Sequence, residues 1–231
     1  MVQAAADPDE AGLSALQELC FRYWFPLYAF LRRRGYREQE SQDLIQGFFL
    51  QLLERGVLQK ADRERGRFRN FLLAALKNFV ANESAKERTL RRGGGETLLS
   101  LDFENAEGRL VNECVEEISA EAQFHRQWAV EVLDRAMSLL EQEMEREGKS
   151  HLFHRLRPYL SAGGESLAYA DVAERLGMKT EAVRVATHRL RKRYRRCLEA
   201  EIRQTLTTSA DLEDEIQELF RALRSPGNAA N

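Results

Sequence analysis

Apolar residues recur at helical spacing through almost the whole chain, and no alternating stretch is long enough for a strand. Three amphipathic helices are predicted in roughly the first 80 residues. Their apolar stripes are Leu16, Leu19, Cys20 and Tyr23; Leu44, Ile45, Phe48, Phe49, Leu52 and Leu53; and Phe68, Phe71, Leu72, Ala75, Leu76 and Phe79. Pro26 is expected to break or restart the first helix. Three such helices can bury one bundle core, so the sequence predicts an all-α fold.

A run of three glycines, Gly93 to Gly95, ends this regularity, because glycine in a helix interior costs backbone entropy. From there to about residue 120 the chain is acidic and poorly periodic, which predicts a flexible linker. A second helical set begins near Ala122. It comprises a long helix that stops at Gly148, a short helix over about 152–160, helices over about 167–176 and 180–200, and a last amphipathic stretch over about 212–223. We therefore expect two helical domains joined by an acidic linker.

Charge is unevenly distributed along the 231 residues, although the net charge is only −2. Residues 13–95 carry 16 basic and 9 acidic side chains, residues 96–147 carry 4 and 14, and residues 148–205 carry 13 and 6. Two basic blocks on either side of an acidic block are typical of two modules that bind a polyanion and are joined by a segment that does not contact it. Solvated faces that bind nothing carry similar charge runs, so charge alone does not decide.

Other function classes find little support in the sequence. No apolar run reaches the roughly 18 residues of a membrane span, and the N-terminus lacks the features of a secretory signal. We therefore expect a cytoplasmic protein that does not insert into membranes. Cys20, Cys114 and Cys197 lack metal-ligand spacing, and no third ligand stands near His151 and His154. Because nucleophile turns and phosphate loops are also missing, we expect no enzyme and no metal or cofactor.

The sharpest motif runs from Tyr169 to His188, YADVAERLGMKTEAVRVATH. Ala173 is small where two helices must cross closely, and Gly177 sits where a tight turn needs a positive φ. This combination resembles a helix-turn-helix, whose second helix enters the major groove of DNA. The polar side of that second helix holds Glu181, Arg184, Val185, His188, Arg191, Lys192 and Arg195. An ordinary helical hairpin with an exposed basic helix would carry the same pattern.

The second predicted helix presents a polar face opposite its apolar stripe. Asp43, Gln46 and Leu50 lie on that face, beside Gly47, which admits close approach. Such a face suits a protein contact, but a solvated face with one exposed leucine would look the same.

The third predicted helix, within Arg67 to Asn82, has an outward face of small, amide and basic side chains. Asn70, Ala74, Lys77 and Ala81 belong to it, and such residues let a helix approach a phosphate backbone. Aromatic side chains beside them would suit stacking of unpaired bases. Most of the phenylalanines fall on the apolar stripe, however, which favours a core role for each.

Together these three motifs resemble, in order and spacing, a sigma factor of RNA polymerase in the two-domain extracytoplasmic-function group of the sigma-70 family. The resemblance covers about residues 13–92 and 125–200. It implies a region 2 domain over 13–92 that binds core polymerase and recognises and melts the −10 promoter element. It further implies an acidic linker over 93–124 and a region 4 helix-turn-helix domain over 125–205 that reads the −35 element. Residues 206–231 would be an added helix and a disordered tail.

The resemblance also implies roles for individual residues. Asp43, Gln46 and Leu50 would grip the clamp of the largest polymerase subunit, and the flap of the second-largest subunit is a further expected partner. Promoter DNA would be contacted at −10 by Lys77, Asn78, Asn82 and Arg88, and at −35 by Arg184, His188, Arg191, Lys192 and Arg195. Members of the family are commonly restrained by an anti-sigma factor, which makes such a protein a candidate partner. The alternative is a conventional helix-turn-helix repressor or activator that acts without core polymerase.

Overall fold

The computed structural model describes residues 10–55, 67–87, 101–103, 105–113, 118–160, 169–206 and 212–224. Every regular element in these ranges is helical, which confirms the predicted all-α class. The helices are α1 (Glu10–Arg33), α2 (Glu38–Arg55), α3 (Phe68–Glu87), α4 (Ala106–Glu113), α5 (Ala120–Arg146), α6 (Ser150–Leu156), α7 (Tyr169–Leu176), α8 (Thr180–Thr205) and α9 (Leu212–Leu223). A 3-10 turn, Arg157–Tyr159, follows α6. No helix in the described ranges combines the length and apolar character needed to cross a bilayer.

The chain divides into two compact units. Unit 1 comprises Met1–Glu131 and Gln204–Asn231, and unit 2 comprises Val132–Arg203. The predicted division was different: it ended the first domain at residue 92, placed a linker over 93–124 and set 206–231 apart as an extension. The described parts of that linker and extension include the helices α4 and α9, and both have buried side chains in unit 1, so the compact unit is larger than the sequence indicated.

Helix α1 continues through Pro26, contrary to the expectation that proline would break or restart it. A proline inside a helix costs about 3 kcal/mol, because it removes a backbone hydrogen bond and crowds the preceding turn. The segment around it is almost fully buried: Phe25, Leu27, Phe30 and Leu31 are each at most 1% exposed. Burying a large apolar side chain contributes about 1.5–3 kcal/mol, so packing offsets the disruption.

Helix α4 lies within the segment that was predicted to be a linker, and it is anchored on α1. The Glu107 carboxylate accepts hydrogen bonds from the Tyr28 hydroxyl at 2.6 Å and from Nε and Nη2 of Arg32 at 2.7 and 2.8 Å. The hydrogen bond from Arg32 lowers the pKa of Glu107 below its usual range. Ala106 and Leu110 are buried on the same helix. Acidic residues of this segment therefore pair with basic residues of unit 1.

Helix α9 also packs within unit 1. Its Ile216 and Leu219 are buried, and its Glu215, although charged, is only 3% exposed. That carboxylate forms ion pairs with Arg69 and, at 2.7 Å, with Nε of Arg67. Through Glu215, the helix predicted within the C-terminal extension thus pairs with Arg67, just before α3, and with Arg69, in the first turn of α3.

Two glycines end helices in unit 2 as the sequence predicted. Gly148 and Gly177 have φ values of +67° and +62°, a conformation that costs glycine little. After Gly177, the N–H of Met178 donates to the carbonyl of Ala173 at 2.9 Å, which satisfies an orphan carbonyl at the end of α7. These turns fix the directions in which the helices of unit 2 follow one another.

Candidate nucleic-acid interface

The helix-turn-helix segment of unit 2 consists of α7, the turn at Gly177 and α8. Ala173 is 4% exposed and Val183 is fully buried, so the small and apolar positions of the motif lie inside unit 2. The positive φ predicted for Gly177 is confirmed. Because α8 begins at Thr180, only three residues separate the two helices. This short turn is typical of the helix-turn-helix arrangement.

One face of α8 is exposed and strongly basic. Arg184, His188, Lys192 and Arg195, four of the five residues predicted to read the −35 element, are exposed on it. Val185, half exposed, accompanies them. The Arg195 Nε also pairs with Glu199 at 3.0 Å, one turn further along the helix.

Two exposed arginines extend this face beyond the residues singled out in the sequence. Arg189 lies four residues after Val185, and Arg196 lies four residues after Lys192. Residues four apart share a helix surface, so this spacing was the signal that could have identified both. Including them widens the basic surface around the side of α8.

Arg191, the fifth residue predicted at −35, is placed differently. It is only partly exposed, and its Nε and Nη2 donate to the backbone carbonyl of Tyr159 at 3.1 and 2.9 Å. These donors hold α8 to the 3-10 turn within unit 2. Arg191 therefore joins two elements of the unit, whereas its neighbours on the basic face point into solvent.

The opposite side of α8 is fastened to α5 by charged and polar groups of unit 2. Arg193 donates to Glu147 at 2.6 Å and to Glu143 at 3.1 Å. The hydrogen bond from Arg193, with a smaller contribution from the hydrogen bond of Lys149, lowers the pKa of Glu147 to about 2. The hydroxyl of Tyr194 donates to the carbonyl of Leu133 at 3.2 Å, and burial raises the pKa of this phenol to about 12.

In unit 1, the face of α2 that was predicted to contact a protein is only partly exposed, and its glycine lies against α3. Asp43 is exposed and accepts a hydrogen bond from Gln39 at 3.2 Å, while Gln46 and Leu50 are half-buried beside it. A Cβ on Gly47 would lie 3.2 Å from Cζ of Phe79. The glycine therefore permits close packing of α2 against α3 rather than an outward contact.

The predicted −10 face of α3 is exposed and mostly uncharged. Asn78 and Asn82, one turn apart, are exposed, together with Asn70, Ala74 and Ala81. The Lys77 Nζ donates to Glu121 at 2.6 Å, and this hydrogen bond lowers the pKa of the Glu121 carboxyl. Lys77 is thus an ion-pair partner within unit 1. Arg88, also predicted at −10, lies outside the described residues.

The exposed groups of α8 are of the types that contact nucleic acids. The cations of α8 can meet phosphates, and Val185 and His188 near its N-terminal half can meet base edges. In the described part of the chain, no three His, Cys, Asp or Glu side chains gather where they could hold a metal ion. Comparisons with protein-family models, with curated proteins and with solved structures find no match for this chain.

Proposed function

We propose that this chain is a sigma factor, a cytoplasmic subunit that gives core RNA polymerase its promoter specificity and catalyses no reaction itself. The observation that carries the proposal is the basic face of α8. It follows a glycine turn of helix-turn-helix form, and it leaves Arg184, His188, Lys192 and Arg195 exposed while the other side of the helix is packed. The order and spacing of the three sequence motifs support the same function.

On this proposal, α8 reads the −35 duplex. Val185 and His188 meet base edges in the major groove, where hydrogen-bonding and apolar groups distinguish base pairs. Lys192 and Arg195 meet phosphates, which sets the orientation of the helix but carries no sequence information. Arg191 is a positioning residue, because its guanidinium is engaged by Tyr159.

The exposed face of α3 would contact the −10 element as it opens. Asn78 and Asn82 offer amide donors and acceptors to bases that leave the stack, and such contacts offset part of the cost of unpairing. Lys77 would exchange its carboxylate partner, Glu121, for a DNA phosphate. The uncharged character of the remaining face admits close approach of the backbone.

The face of α2 formed by Asp43, Gln46 and Leu50 would bind the clamp of the largest polymerase subunit. A half-buried leucine beside a carboxylate and an amide combines apolar contact with directional hydrogen bonds, as the centres and rims of protein interfaces do. The flap of the second-largest subunit is the expected partner of unit 2.

In vitro transcription with core polymerase tests the proposal. The full chain is mixed with core enzyme and fragmented genomic DNA, and start sites are mapped. We expect initiation at sites that share a −35 and a −10 sequence, none of which core enzyme uses alone.

Two matched pairs of variants separate the proposed roles. Gln46→Ala combined with Leu50→Ala should weaken binding to core polymerase at least tenfold, whereas Glu38→Ala, an exposed change on the same helix, should not. Lys192→Gln should leave core binding unchanged and reduce initiation, whereas Arg155→Gln, an exposed change on α6, should change neither core binding nor initiation. Failure to bind core polymerase, together with specific DNA binding by the isolated chain, would instead identify a conventional helix-turn-helix regulator.

A further inference from the structure

Unit 1 contains a cavity of about 210 Å³ that none of the proposed contacts uses. Side chains of α3, α5 and α9 line it. Ala122, Trp128 and Ala222 contribute apolar walls, and Arg69 and Arg126 contribute charge. Helix α9 therefore supplies one wall of a cavity that is lined by both apolar and basic side chains.

Arg69 is the most unusual residue of this cavity, because a guanidinium is seldom buried so fully. It is 3% exposed, its charged group lies 4.1 Å from the centroid of the Trp128 ring, and it pairs with Glu215. Its Nε nevertheless has no hydrogen-bond partner among the residues that the structure describes. Burial lowers the pKa of Arg69 to about 10, so it stays cationic at neutral pH.

Three neighbouring groups that line the same cavity share this lack of a partner. In the described part of the chain, the Trp128 Nε1, the Arg126 Nε and the His125 Nδ1 are buried without a hydrogen bond. A buried polar group left unpaired costs about 1–3 kcal/mol, and native structures pair most of them. Several such groups around one cavity, most of them donors, indicate a place for a hydrogen-bond acceptor.

The charges around the cavity favour an anion. Besides Arg69 and Arg126, it is lined by Arg221, in the last turn of α9, and by Arg224, just after that helix, and both are exposed. Among the described lining residues the one carboxylate, Glu218, already pairs with Arg221 and lies 3.5 Å from Nη1 of Arg67. The net charge of the described lining residues is therefore positive. Burial lowers the pKa of His125 to about 4, so its imidazole is neutral at neutral pH.

We propose that this cavity binds a small organic anion in which a carboxylate is joined to one apolar ring or a branched chain. The carboxylate would accept hydrogen bonds from Arg69, Arg126 and the indole of Trp128, and charge-assisted bonds of this kind are strong. The apolar part would lie against Ala122 and Ala222. A dry cavity of roughly 150 Å³ holds benzene, so the larger volume here has room for a ring with its carboxylate.

Binding would also stabilise the docked position of α9, since this helix forms part of the site. The proposal concerns the ligand and does not depend on the role of the chain in transcription. It can therefore fail while the proposed function stands, and the reverse is equally true.

Titration calorimetry of the full chain at neutral pH tests the proposal with three probes. Benzoate has the proposed form, benzamide has the same shape without the charge, and inorganic phosphate has charge without an apolar part. We expect saturable binding of benzoate, with a rise in the melting temperature that grows with its concentration. Benzamide and phosphate should bind at least about tenfold more weakly.

Variants locate the site. Arg126→Gln should weaken benzoate binding by about tenfold or more, because a charge-assisted donor is lost. Ala222→Leu should abolish it by filling the cavity, and Arg155→Gln, an exposed change in unit 2, should leave it unchanged. Absence of saturable benzoate binding, equal binding of benzamide, or binding undiminished by Ala222→Leu would each overturn the proposal. If Arg126→Gln fails to fold, the benzamide comparison and Ala222→Leu still decide.

Discussion

The guanidinium of Arg191 donates two hydrogen bonds to a single oxygen, the backbone carbonyl of Tyr159, at 3.1 and 2.9 Å. This carbonyl stands at the end of a 3-10 turn, where backbone acceptors lack partners within the turn itself. The next residue along α8, Lys192, is exposed. Two adjacent basic residues of one helix thus have different roles: Arg191 joins parts of unit 2, and Lys192 is available to a partner.

This difference predicts distinct outcomes for Arg191→Gln and Lys192→Gln. Arg191→Gln should lower the free energy of unfolding by about 1–2 kcal/mol, because hydrogen bonds from a charged group are lost. Lys192→Gln should change the free energy of unfolding by less than about 0.5 kcal/mol. It should, however, make the affinity for duplex DNA less dependent on salt concentration, by the amount that corresponds to about one phosphate contact. Urea denaturation and DNA titrations at several salt concentrations measure both. A normal stability for Arg191→Gln with a reduced salt dependence would contradict the assignment.

Gly177→Ala should destabilise the protein through backbone strain alone. The φ of +62° disfavours any residue with a Cβ by about 1–2 kcal/mol, yet no atom of the described residues lies within 4 Å of the position that a Cβ would occupy. Gly108→Ala is the matched control, because Gly108 lies inside α4 with equally open space. That change should stabilise the protein by about 0.5–1 kcal/mol. Chemical denaturation should give opposite signs, and equal effects would refute the explanation.

Glu107→Gln tests whether α4 is a structural element. The change should lower the free energy of unfolding at neutral pH by about 1 kcal/mol, a moderate value because the side chain is one-third exposed. The folded pKa of Glu107 lies below the unfolded value, so its stabilisation is present above the unfolded pKa and is lost as pH falls through the folded pKa. The difference between variant and parent should therefore vanish in acid. Glu145→Gln, a change at an exposed carboxylate of α5, should lower the free energy of unfolding at neutral pH by much less.

His125 should make unit 1 less stable in mild acid. Burial, with a smaller contribution from the nearby Arg69, lowers its folded pKa from 6.5 to about 4. Between these values the unfolded chain binds a proton that the folded chain does not, so stability falls as pH drops from 6.5 towards 4. His125→Gln should remove that part of the slope, which thermal melts across this range would detect. A variant with the parent's full slope would show that other groups cause it.

Local features of the sequence determined much of this protein. The repeat of apolar residues predicts helices because residues three and four apart lie on one helix face. The positive φ of Gly177 and the helix end at Gly148 could be predicted from glycine, because a glycine after the last periodic residue commonly ends a helix in the left-handed conformation. The exposure of the basic side of α8, at Arg184 and Lys192, followed from the same helical periodicity.

Only the tertiary structure decided which polar groups find partners. Arg32 and Glu107 are 75 positions apart, and no local pattern predicts their pairing. The same holds for Arg69 with Glu215, which converts a predicted extension into part of unit 1. The break expected at Pro26 does not occur, and Arg191 has a backbone partner that the sequence did not indicate; both findings have one physical reason. Helical periodicity reports which residues share a face, whereas burial and pairing depend on what the rest of the chain brings against that face.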